Sequence, residues 1–202
     1  MAAKPKLYLA SSNPGKLREF SDLAVNAISP VELSLLPGYG ALAPFPEDAP
    51  TFAENAAGKA LHASALTVET VCADDSGLVV PALGGEPGVH SARYAGPAAG
   101  SEENTDKLLR ALAARGKPPR NARFVCALAV AREGRVLAVV TNQVEGEILE
   151  SRRGSGGFGY DPVFYFPPAG KTFAELSGEE KNRYSHRGKA FRRLLEVLPG
   201  ML

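Results

Sequence analysis

The chain has 202 residues, enough for one large domain or for two lobes sharing a sheet, and its 45% hydrophobic content is that of a globular protein with a real core. With 23 Lys and Arg against 22 Asp and Glu, the formal net charge of +1 gives no bulk attraction to a nucleic acid polymer or to an anionic membrane, which leaves room only for a local basic pocket. Cys72 and Cys126 lie inside apolar runs and read as reduced core residues, which favours a cytoplasmic protein; no segment approaches the length needed to cross a bilayer.

Residues 6–10 read as a short strand, too brief for the apolar stretch of a signal peptide. Pro14 suits a first helical turn, and Leu17, Phe20, Leu23 and Ala24 then recur at helical spacing up to Ala27. Residues 31–36 read as a second strand, and 37–50 as a Pro/Gly-rich loop carrying Glu47 and Asp48. Thr51-x-x-Glu54 is a capping box that opens a helix to about Val68, with Leu61 and Leu66 turned inward. Residues 70–73 form the next strand, Asp74-Asp75-Ser76-Gly77 a turn, and 78–83 a resumed strand; residues 84–94 read as loop or irregular strand. Ser101 caps a helix to about Arg115, with Glu102 and Glu103 where the helix dipole favours acids. Residues 123–132 and 135–147 are long strands joined by a Glu133-Gly134 hairpin turn. A Gly-rich loop over 151–162 leads into a strand at 163–166. A second capping box, Ser177-x-x-Glu180, opens a short helix through Lys181, and 186–198 is a final amphipathic helix using Phe191, Leu194, Leu195 and Leu198. Strands that alternate with helices, with one antiparallel pair among them, predict an α/β fold with a mixed central sheet flanked by helices.

Four segments carry chemistry. Ser11-Ser12-Asn13-Pro14-Gly15-Lys16 places a small polar turn, a glycine and a lysine at a helix start, where backbone N–H groups and the dipole favour an anion such as phosphate. It lacks the Walker A spacing, and it also fits an ordinary helix start capped by Ser or Asn. Asp74 and Asp75 put two carboxylates directly after an apolar strand, where burial is costly unless a cation pairs with them. Because strand neighbours point to opposite faces, one of them can hold Mg2+ and act as general base on water while the other supports the turn. Glu47 and Asp48 are solvated loop acids by default and metal ligands by second choice. In Gly154-Ser155-Gly156-Gly157-Phe158-Gly159-Tyr160-Asp161, aromatic rings on a mobile, Gly-flanked backbone suit stacking on a flat base, or else fold into the core. Lys181 and Ser185-His186-Arg187-Gly188-Lys189 can bind phosphate or a base carbonyl, or form a solvated charge run.

In this order the segments resemble the Ham1/inosine triphosphatase family of noncanonical purine nucleoside triphosphate pyrophosphatases. The resemblance rests on Leu9-Ala10-Ser11-Ser12-Asn13-Pro14-Gly15-Lys16-x-x-Glu19, Phe52-x-Glu54-Asn55-Ala56, Ala73-Asp74-Asp75-Ser76-Gly77-Leu78, Pro87-Gly88-x-x-Ser91-Ala92-Arg93-Tyr94, Gly156-Gly157-Phe158-Gly159-Tyr160-Asp161-Pro162 and Ser185-His186-Arg187-Gly188. It covers almost the whole chain. It implies a single Ham1-like domain over 1–202 with a long mixed sheet, two lobes, a central cleft and a homodimer. The implied activity is Mg2+-assisted hydrolysis of ITP, dITP and XTP to the monophosphate and pyrophosphate. By motif position, Ser11, Ser12, Asn13, Pro14, Gly15 and Lys16 would hold the triphosphate, with Lys16 also stabilising charge in catalysis. Asp75 would be proton acceptor and metal ligand, with Glu47 as second metal ligand and Ser76 touching substrate. Phe158, Gly159, Tyr160, Asp161, Lys181, His186 and Arg187 would enclose base and sugar. The stretch Pro46-Glu47-Asp48-Ala49-Pro50 departs from the family's acidic pair followed by Thr-Gly, so Asp48 is an alternative to Glu47. A Maf-like pyrophosphatase and a non-catalytic nucleotide-binding module are the rival readings.

Overall fold

The computed structural model describes residues 4–26 and 31–200; Ala27, the predicted end of the first helix, lies outside them. The chain divides into two compact units. The first takes the described residues up to Asp75, Cys126–Asn142 and those from His186 onward; the second takes Ser76–Val125 and Gln143–Ser185. Strands β1 (Lys6–Ala10), β2 (Glu32–Leu35), β3 (Thr70–Val79), β4 (Asn121–Arg132), β5 (Arg135–Ile148), β6 (Phe164–Phe166) and β7 (Lys171–Thr172) form one mixed sheet of order β2-β1-β3-β4-β5-β6-β7. β1 pairs in parallel with β2 and β3, and β6 pairs antiparallel with β5 and β7. Helices α1 (Pro14–Asn26), α2 (Phe52–Ser64), α3 (Ser101–Ala113), α4 (Gly178–Tyr184) and α5 (His186–Val197) complete the fold.

In the first unit the two-residue period of the strands sorts side chains to opposite faces. Leu7, Leu9, Cys72, Cys126, Leu128 and Val130 share a cluster with Phe20 and Leu23 of α1 and Phe191 and Leu194 of α5, and the Phe20 and Phe191 rings meet edge to face at 5.9 Å. Ala10, Val71, Ala73, Ala127 and Ala129 lie in a second cluster with Ala56, Ala60 and Ala63 of α2. Small side chains on both partners let that helix lie close to the sheet. With both faces covered, these strands read as nearly continuous apolar runs rather than alternating ones.

The second unit has its own core, in which Phe124, Phe164 and Phe173 pack together with Leu108, Leu112 and Tyr160. The β4–β5 connection is the expected two-residue hairpin, with Glu133 (φ 50°) and Gly134 (φ 74°) both left-handed. Ser177 caps α4 as predicted: its hydroxyl accepts from Glu180 N at 3.1 Å while the Glu180 carboxylate accepts from Ser177 N at 2.8 Å.

Several sequence expectations are corrected. Thr51 caps α2, but the helix stops at Ser64, four residues before Val68, and Leu61 and Leu66 face outward because the inward stripe runs through Ala56, Ala60 and Ala63. Ser101 is the first residue of α3, and Gly100 is the cap, its N–H donated to the Glu103 carboxylate at 2.6 Å. The largest difference is at Asp74-Asp75-Ser76-Gly77, which makes no turn: β3 runs straight through it. Gly77 serves close packing instead, since a Cβ there would sit 2.3 Å from Ser91 Oγ and 2.6 Å from the Gly88 carbonyl oxygen. The same Ser91 hydroxyl accepts the N–H of Leu78 at 2.8 Å. The strand after this point ends at Val79, and residues 81–83 form a single 3₁₀ turn. Among the described residues no helix is long and apolar enough to cross a membrane.

Candidate active site

The start of α1 is capped by Asn13, whose side-chain oxygen accepts from Gly15 N at 3.0 Å and Lys16 N at 3.1 Å. Two of the N–H groups that the sequence offers to an anion are therefore engaged by the protein itself. Lys16 is also tied inward, its ammonium 2.8 Å from Asp74 Oδ2. Ser12, Asn13 and Pro14 are exposed, so the turn itself faces solvent.

The strand alternation now decides the partners of the acid pair. Asp74 lies on the face of Cys72, which α1 and α5 cover, and it meets Lys16 there. Burial opposes its charged form, yet Lys16, Lys59 and Arg187 outweigh that and hold the carboxyl at about 2. Asp75 lies on the face of Val71 and Ala73, which α2 covers, and its Oδ1 is 3.1 Å from Lys59 Nζ. Here burial wins: the Asp75 carboxyl is raised above the ordinary Asp value despite Lys59 and Lys16, with Glu47 adding to the rise. Its Oδ2 is buried and has no hydrogen-bond partner. Lys59 Nζ also donates to Glu47 Oε1 at 2.7 Å, and these three acids outweigh burial to keep the lysine charged.

Lys59 is the member of this cluster that the sequence reading does not single out. The signal was present: a lysine among Ala56, Ala60 and Ala63 on the buried face of an alanine-rich helix needs a carboxylate beside it. Glu19, the last residue of the first motif, lies on α1. It pairs with Arg187 of α5, Oε2 to Nη1 2.9 Å, in a buried contact. Burial works against the charge on Arg187, and Glu19 and Asp74 more than offset it. His186, the first residue of α5, is buried as well. Asp48 is exposed while Glu47 is the acid tied to Lys59, which favours Glu47 over Asp48 as a ligand.

The second unit holds a separate cluster. Asp161 Oδ2 accepts from Lys181 Nζ at 2.5 Å and from Phe158 N at 2.8 Å. The Lys181 ammonium lies 4.8 Å from the centroid of the Phe158 ring. A Cβ on Gly157 would fall 2.1 Å from Asp161 Oδ2, and Gly157 and Gly159 take φ of 69° and 63°. These glycines thus permit a close approach and a left-handed backbone. Tyr160 belongs to the core and donates its hydroxyl to the Ser91 carbonyl oxygen at 2.8 Å. Ser76 is half-buried on β3.

For a metal, the orphaned buried oxygen of Asp75 and the nearby Glu47 carboxylate are hard oxygen donors of the kind Mg2+ takes. No group of three or more His, Cys, Asp or Glu side chains is arranged to hold an ion among the described residues. Mg2+ is commonly bound by one or two carboxylates and completed by phosphate and water.

A helix start whose Lys16 pairs with Asp74, beside a Lys59 that bridges Asp75 and Glu47 on an α/β sheet, gathers cations and carboxylates of the kind that suit phosphate chemistry. The chain belongs to the Ham1 family, whose model matches residues 7–197. It is 52% identical over 191 residues to a dITP/XTP pyrophosphatase of Geobacillus kaustophilus, covering 95% of this chain and 93% of that one. It is 50% identical over 197 residues to a dITP/XTP pyrophosphatase of Thermus thermophilus, covering 95% and 91% of the two chains. The solved structure of a Ham1 protein from Coxiella burnetii superposes with a TM-score of 0.86 at 39% identity, covering 97% of this chain and 99% of that one.

Proposed function

We propose that this chain is a nucleoside triphosphate pyrophosphatase that hydrolyses ITP, dITP and XTP to the monophosphate and pyrophosphate, clearing them from the nucleotide pool. The observation that carries the mechanism is the buried Asp75 carboxylate with one oxygen on Lys59 and the other without a partner. Its raised pKa makes it a better proton acceptor than an ordinary aspartate.

The polyphosphate binds at residues 11–16, with Lys16 and Lys59 as its cations. Asp75 orients a water on Oδ2 and takes its proton as the oxygen attacks the α-phosphorus. The bond from that phosphorus to the bridging oxygen breaks, and pyrophosphate leaves with the electron pair. Lys16 and Lys59 balance the charge that develops on the phosphate oxygens. Mg2+, held by Asp75 and Glu47, would supply Lewis-acid charge to the same oxygens. Phe158, Asp161 and Lys181 offer a ring face, an acceptor and a cation suited to a purine. A fixed donor such as Arg187 favours the 6-keto group of hypoxanthine over the 6-amino group of adenine.

Reduced, buried Cys72 and Cys126 suit a cytoplasmic enzyme. Exposed Leu61, Leu66 and Val68 after the inward stripe of α2 suit burial in a homodimer, which light scattering on the purified protein checks. The functional test is incubation with ITP, XTP, GTP and ATP in Mg2+ with detection of pyrophosphate. Release from ITP and XTP at rates far above those from GTP and ATP supports the reading; no pyrophosphate, or orthophosphate in its place, refutes it.

A further inference from the structure

The Gly-rich segment is a loop laced to its neighbours by hydrogen bonds. Its neck is shut by Arg153 N–H donating to the Pro162 carbonyl oxygen at 2.8 Å. The carbonyl and the guanidinium of Arg153 are also engaged at that neck. Its carbonyl oxygen accepts from Thr172 Oγ1 at 2.8 Å. Its guanidinium grips Glu175 in fork geometry, Nη2 at 3.0 Å from Oε2 and at 3.2 Å from Oε1, with Nε also 3.2 Å from Oε1. Glu175 is itself fixed, because its Oε2 accepts the N–H of Thr172 at 2.7 Å. Two further rungs follow, Gly156 N to the Ala174 oxygen at 3.0 Å and Ala174 N to the Asp161 oxygen at 3.3 Å. Gly154, at φ 81°, passes so close that a Cβ would lie 2.6 Å from the Ala174 carbonyl carbon.

We propose that Arg153 and Glu175 are positioning residues for purine recognition: their fork fixes the loop 153–162 on residues 172–175 and so sets where Phe158 and Asp161 meet the base. This inference rests on the proposed function for its kinetic arm. Neither residue belongs to the Phe158–Asp161–Lys181 cluster; each acts through the loop backbone. The pair is largely at the surface, with side chains 46% and 27% exposed, so it contributes little to global stability. Its value lies in geometry, because a small displacement of a binding group weakens productive binding even when the fold is intact.

The test compares wild type, Arg153→Met, Glu175→Gln, Arg153→Lys and the charge swap Arg153→Glu with Glu175→Arg. Steady-state kinetics with ITP and amide hydrogen exchange at Gly156 and Phe158 are both read. The expected result for the Met and Gln variants is a KM raised about tenfold with kcat nearly unchanged, faster exchange at both amides, and an unchanged Tm. Arg153→Lys falls between, since an ammonium keeps the charge and loses the fork. The charge swap recovers part of both readouts. Unchanged KM and exchange in the Met and Gln variants would overturn the proposal, as would a loss confined to kcat. If wild type hydrolyses no ITP, the functional reading falls, and the exchange data alone then decide whether the fork positions the loop.

Discussion

Lys59 bridges Glu47 and Asp75, its ammonium 2.7 Å from one carboxylate and 3.1 Å from the other. A single cation thus stands between two acids on different segments, one from a loop and one from the middle of a strand. Without it the two carboxylates face each other with no charge to separate them.

Lys59→Met therefore destabilises the metal-free protein by about 3 kcal/mol, the scale for breaking a buried pair on one side only. Because a divalent cation substitutes for the lost ammonium, added Mg2+ raises the Tm of this variant more than that of wild type. Thermal unfolding with and without Mg2+ checks both; equal Mg2+ shifts in the two proteins contradict the bridging role.

Asp74 has the opposite behaviour to its neighbour. Its carboxyl is held at about 2 against an ordinary 3.8, so its ionised form stabilises the folded state above pH 3.8, and that contribution is lost as pH falls toward 2. The shift corresponds to about 2 kcal/mol. Urea unfolding of wild type and Asp74→Asn is expected to show a gap of at least this size at pH 6 that narrows by pH 3. A gap independent of pH would place the effect in packing rather than charge.

Glu19→Gln removes the charge partner of buried Arg187. With Arg187 no longer held by the Glu19 carboxylate, the kcat/KM ratio of ITP to ATP falls by about tenfold, while folding is retained through the remaining amide contact. An unchanged ratio removes Arg187 from base selection.

Much of this was legible in the sequence. The cap at Thr51, the capping box at Ser177, the Glu133-Gly134 hairpin and the edges of β1 and α5 follow from local rules that act within a few residues. The acid pair was legible as chemistry but misread as shape. Asp-Asp-Ser-Gly has turn composition, and only tertiary partners, Lys16 and Lys59, make it tolerable within a buried strand. Lys59 escaped because its meaning depends on which face of α2 is inward. That face was assigned by Leu61 and Leu66, the largest apolar residues, whereas alanines define it. The Gly-rich loop read as mobile because glycine count speaks to freedom. Its order comes from Asp161, Ala174 and the Arg153–Glu175 fork, residues distant in sequence.

In the proposed reaction the Asp75 carboxylate takes the proton of the attacking water. Pyrophosphate release from ITP by Asp75→Asn beside wild type, with nucleotide affinity and Tm measured on the same samples, tests it most directly. Turnover is expected to fall by about 100- to 10,000-fold with affinity and folding kept. Turnover within a few-fold of wild type would contradict it.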